Sequence, residues 1–130
     1  MSTRYLPFLG RLLIGGIFVM SGAGKLSQQA GITAAIAHAG LPLAPLGYIV
    51  ALVVEIGFGL ALALGLRTRA VALVLAIWCL VTAAFFHNNF TDQNTMIHFL
   101  KNLMIAAGLL QIVHFGPGAV SLDAKLQRPS

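Results

Sequence analysis

Acidic residues are nearly missing from this sequence: Glu55, Asp92 and Asp123 are the whole set in 130 residues. Charge of either sign is scarce, at 8%, where a soluble domain carries about a quarter. So few ionised side chains cannot cover a water-soluble fold, and lipid must solvate most of the surface. Cysteine occurs once, as Cys79 inside an apolar run. That excludes an intrachain disulfide and any CxxC redox or zinc motif. A nucleophile elbow, a phosphate loop, a nucleotide fingerprint and a metal-ligand cluster are absent as well. The net charge of +5 does not point to nucleic acid. Its lysines and arginines are scattered between apolar stretches instead of forming a patch.

Hydrophobic residues make up 58% of the chain, and they fall into four stretches, approximately 6–24, 45–66, 70–87 and 96–115. A helix needs about 20 apolar residues to cross a bilayer, and each stretch meets or approaches that length. Strands of a membrane barrel would alternate in polarity, whereas these stretches are apolar on every face. Backbone groups in lipid must be bonded within their own segment. The expected fold is therefore all-α, an integral membrane four-helix bundle forming a single domain over residues 1–130. Residues 32–39 are expected to form a short interfacial helix. Arg4, Arg67, Arg69, Lys125 and Arg128 gather on one side and only Lys25 on the other. By the positive-inside rule, both the N- and C-termini are expected in the cytoplasm. A competing reading makes the first stretch a cleavable signal peptide: Arg4 and Arg11, an apolar core, then Ser21-Gly22-Ala23. The three later spans do not depend on that choice.

In such a chain, ionisable residues at membrane depth carry the functional information. Glu55 lies ten residues after Pro45, which is about 15 Å into its span. His98, Lys101 and Asn102 are related by i+3 and i+4 spacing and share a helix face. Lys101 is the natural partner for Glu55 on depth. His87 and Lys25 close their helices on the same side, so the outer half collects Lys25, Glu55, His87, His98, Lys101 and Asn102. This set suits a carbonyl-bearing ligand such as a quinone head group, or local proton transfer. It equally suits polar contacts that merely hold helices together. Bis-histidine haem ligation needs facing histidines; His87 and His98 are the only pair to weigh, and haem is not favoured. Arg11 is expected to snorkel toward headgroups, and Gly15, Gly16, Gly22, Gly57 and Gly59 to permit close helix contact.

Three segments, RLLIGGIFVMSGAGKL from Arg11, Glu55 with the later LGLRTR, and NTMIHFLKNLMIAAG from Asn94, resemble the DoxX family. The ending GPGAVSLD is similar to that of its YphA-like branch. The resemblance covers nearly the whole chain. It implies a four-helix protein of the bacterial inner membrane, and it carries over Lys25, Glu55, Lys101, Asn102 and Asp123 as positions matching the family pattern. Some members are associated with thiosulfate:quinone oxidoreduction or with membrane redox complexes, so quinone is the implied cofactor and a redox protein the implied partner. The leading expectation is a redox-associated membrane subunit, the membrane subunit of an oxidoreductase, that binds quinone or another small lipophilic ligand in its outer half. The alternatives are a small-molecule or proton-coupled transporter using Glu55, and a structural scaffold of a membrane complex. Small-residue faces also allow a homo-oligomer.

Overall fold

The computed structural model describes residues 5–86 and 93–126. Their regular structure is helical: α1 (Leu6–Lys25), a short α2 (Gln29–His38), α3 (Ala44–Leu52), a π-helical segment (Val53–Phe58), α4 (Gly59–Leu64), α5 (Thr68–Phe86), α6 (Gln93–Phe115) and a one-turn α7 (Leu122–Lys125). The α3–π–α4 run is one continuous rod. With α1, α5 and α6 it gives four helices long and apolar enough to cross a membrane. Met20, Met104, Leu110 and Phe115 stand exposed on their outer faces, as lipid-solvated helices require.

Helix starts and stops follow local chemistry. Proline occupies the first turn of both α1 and α3, where its missing N–H costs nothing and its fixed φ suits a helix. At the other end of the second rod, Gly65 adopts φ +75°. Its N–H reaches the Leu62 carbonyl while the Leu66 N–H reaches that of Ala61. This Schellman arrangement satisfies the last carbonyls of α4.

The core lies between the rods. Leu62, Ala72, Leu75, Ala76, Cys79, Ala106 and Leu109 are all buried together, and the alanines let α5 and α6 approach closely. On the other side, α1 crosses the second rod at Gly15 and Gly59. A Cβ on Gly15 would stand 2.4 Å from the Gly59 carbonyl oxygen, so only glycine fits that crossing. A smaller cluster of Ile36, Ala44 and Tyr48 seats α2 against α3. The Tyr48 hydroxyl donates to the Lys25 carbonyl at 2.8 Å, fixing the end of α1 to the start of the second rod.

Candidate functional site

Glu55 sits within the π-helical segment, 5% exposed. A π-turn shifts helix phase locally and is frequent at functional sites; here it sets the carboxyl against α1. Gly22 makes room for it, since a Cβ there would lie 3.2 Å from Glu55 Cβ. Lys25 Nζ donates to Glu55 Oε1 at 2.7 Å and to Ser21 Oγ at 3.0 Å. The Ser21 hydroxyl donates in turn to the same Oε1, at 2.7 Å. A buried carboxylate is thus matched by one cation and one hydroxyl, as a charge in a low-dielectric interior requires.

The sequence reading paired Glu55 with Lys101, and that pairing is corrected. The physical reason is one of reach. Lys25 ends its helix level with Tyr48, but its flexible stem folds back one turn to the level of Ser21 and Gly22. Lys101 is exposed. It follows eight residues after the start of α6, about 12 Å along the axis, where a long stem lets the ammonium snorkel to the headgroups. Its neighbour Asn102 is the residue of that stripe that turns inward. Asn102 Nδ2 donates to the Cys79 carbonyl at 3.2 Å and to Thr82 Oγ1 at 3.1 Å.

A cleft of about 720 Å³ joins these groups, within the roughly 300–1,000 Å³ usual for small-molecule sites. Its walls are apolar: Ile17 and Phe18 from α1, Ile36 from α2, Leu46 from α3, Trp78 and Phe85 from α5. Its polar lining is Ser21, Lys25, Glu55, Thr82 and Asn102. Of the six residues singled out by sequence, Lys25, Glu55 and Asn102 therefore meet at one cleft. His98 is exposed and, like Lys101, is not among the lining residues. His87 lies outside the described residues. Ser21, Thr82 and Trp78 were missed as lining groups. The signal for Ser21 was its i−4 spacing from Lys25 on α1; for Trp78 it was a position too deep for an interfacial belt.

The opposite end holds a second polar cluster. Arg11 is 1% exposed, which corrects the expectation that it snorkels. Its Nη1 donates to the carbonyls of Leu62 and Ala63, at 3.2 and 3.1 Å, and its Nη2 to the Val120 carbonyl. Asp123, equally buried, exerts an attractive field on it. The Asp123 carboxylate accepts from the N–H groups of Arg67 and Thr68, both at 2.8 Å, and from the Thr68 hydroxyl at 2.7 Å. Arg11 cannot reach the headgroups because the segment after Gly118 folds over it. Between the two clusters, Leu62, Leu75 and Leu109 are fully buried, on the Arg67 side of Glu55, Cys79 and Asn102 along their respective helices.

The family model described as DoxX matches residues 6–88, a segment that contains Lys25 and Glu55 and stops before α6. The chain is similar to the inner membrane protein YqjF of Escherichia coli (strain K12), 37% identical over 122 residues that cover 92% of this chain and 91% of that protein. It is also similar to the inner membrane protein YphA of the same organism, 31% identical over 125 residues covering 92% and 89%. No solved structure gives a significant match.

Proposed function

The chain belongs to the DoxX family and is a multi-pass protein of the inner membrane, and from that premise we propose that it binds a small lipophilic molecule of the quinone class in the cleft beside Glu55. One observation carries this reading: an apolar cavity of about 720 Å³ whose polar groups gather around a single buried carboxylate. Apolar walls suit a ring and tail, and a few placed polar groups suit the head. With the arginine-rich end in the cytoplasm, the cleft occupies the outer half of the bundle. The chain then acts as a redox-associated subunit, with the ligand bringing the reactive group and a partner protein exchanging electrons with it.

Transport through the bundle finds less support. A conducting path from Glu55 to the other face has to pass Leu62, Leu75 and Leu109, none of which retains open surface.

Trp78 supplies the test, being the only tryptophan in the chain and part of the cleft wall. In lipid nanodiscs, decylubiquinone should quench its fluorescence saturably. Ala35→Phe, an exposed residue on the cleft rim, should fill the space and weaken binding at least tenfold. Quenching that rises linearly with quinone and ignores Ala35→Phe would mean only collision within the bilayer, and the reading would fall.

A further inference from the structure

Two hydrogen-bond acceptors on residues of the cleft lack a donor among the described residues, and that bears on which ligand it takes. Glu55 Oε1 receives both of the bonds that reach this carboxylate among the described residues, from Lys25 and Ser21. Oε2 receives none, yet it is not sealed away, and the residue faces the cleft while being 5% exposed overall. Asn102, half-buried, lines the same cleft. Its Nδ2 is committed to Cys79 and Thr82, which assigns the amide orientation and leaves Oδ1 without a donor among the described residues. Donors stand beside them: an ammonium has three N–H groups and Lys25 uses two of them, and the Trp78 indole N–H also belongs to the cleft wall.

A nearly buried acceptor without a donor costs free energy, and the cost is relieved by whatever molecule brings the missing hydrogen. We infer that this cleft selects a ligand whose polar head donates hydrogen bonds through hydroxyl groups, so that it holds a reduced hydroquinone in preference to the oxidised quinone. One hydroxyl donates to Glu55 Oε2 and accepts the free Lys25 N–H; another donates to Asn102 Oδ1. A quinone offers only acceptors. It can satisfy Lys25 and leaves Glu55 and Asn102 as they were. Selectivity of this kind is large because a site built to hydrogen-bond a hydroxyl rejects the analogue lacking it. The glycerol head of a monoacylglycerol carries the same hydroxyl chemistry. This inference rests on the binding function proposed above but fails separately from it.

The test is a competition in nanodiscs under anaerobic conditions, reading Trp78 fluorescence with decylubiquinone bound. Decylubiquinol should displace the quinone at least tenfold more effectively than added quinone does, corresponding to a rise of about 30 mV in the midpoint potential of the bound couple. The dimethyl ether of the quinol has the same ring and tail without hydroxyl donors, and it should compete at least tenfold more weakly than the quinol. Asn102→Leu should lose most of the preference for quinol, read as the ratio of quinol to quinone affinity measured within that variant. If monodecanoylglycerol displaces the quinone as well as quinol does, the hydroxyl requirement stands and the source of the hydroxyls is a lipid. If the ether and the quinol compete equally, or the quinone binds as tightly as the quinol, the hydroxyl rule is overturned while quinone binding survives. If no saturable quenching occurs and filtered nanodiscs retain no quinol, both readings are overturned.

Discussion

Replacing Asp123 would show how much the C-terminal segment contributes to holding the Arg67 end together. Its carboxylate accepts two backbone N–H groups and one hydroxyl, at 2.7–2.8 Å, with 1% of its surface exposed. A hydrogen bond to an ionised group contributes about 1.5–3 kcal/mol net, and bonds that share one acceptor do not add in full. Asp123→Ala leaves the N–H and hydroxyl of the fully buried Thr68 without an acceptor and takes from Arg11 the carboxylate that acts on it. Removing one member of a buried charge cluster costs about 3–5 kcal/mol, and that is the destabilisation expected. Asp123→Asn keeps one oxygen but turns an NH2 toward donors, with an expected cost of about 2–3 kcal/mol. Unfolding by SDS in mixed micelles gives the free energy, and hydrogen exchange at the Thr68 amide gives the location. Asp123→Ala should unfold at lower SDS and lose protection at Thr68 first. Unfolding at the unaltered SDS fraction, with Thr68 still protected, would refute the reasoning.

Three further substitutions separate the packing from the site. Gly15→Ala puts a methyl 2.4 Å from the Gly59 carbonyl oxygen and should cost about 1–3 kcal/mol by overpacking, whereas Gly16→Ala meets nothing within 4 Å and should be neutral or mildly stabilising through helix propensity; the same SDS titration compares them. Lys25→Met strands the Glu55 carboxylate and should destabilise by about 3–5 kcal/mol, while Lys25→Met with Glu55→Gln should recover much of that loss, as read by thermal melting in nanodiscs; equal melting of the single and double variants would remove the ion pair from the account. Gly65→Ala combines a left-handed φ of +75° with a Cβ 2.5 Å from Arg11 Nη1, so at least about 2 kcal/mol should be lost, accompanied by faster proteolysis after Arg67.

The four spans were legible from hydropathy because lipid leaves the backbone no other option. The short helix after α1 was legible too, since an apolar Ile32 and Ile36 at i, i+4 mark a face to bury. What could not be read was which helix neighbours which. Depth alone put Glu55 opposite Lys101, because Lys25 sits at a helix end where a lysine ordinarily faces water. The deciding features were tertiary: Gly22 admitting the second rod, and a π-turn that rephases Glu55 toward α1. No residue type in Val53–Phe58 announces that turn. Arg11 was misread for a related reason. A lone arginine near a span end has snorkelling as its local solution, and its actual partners come from Leu62, Ala63 and Val120, far away in sequence. Asn102 lines the cleft, although it bonds to α5 and not to a charge.

The tie between Asp123 and the start of α5 has a consequence for the order of events during synthesis. The first turn of the third span waits for an acceptor that lies 55 residues further along the chain. While α5 and α6 are being threaded into the bilayer, the Thr68 amide and the Nη2 group of Arg11 must be served by water or lipid phosphates at the interface. Only when α7 emerges and folds back can that water leave. The bundle is therefore closed by its last turn, much as a drawstring closes a bag. A nascent chain halted before Asp123 would have all four of its spans inserted while its Arg67 end remained unsealed.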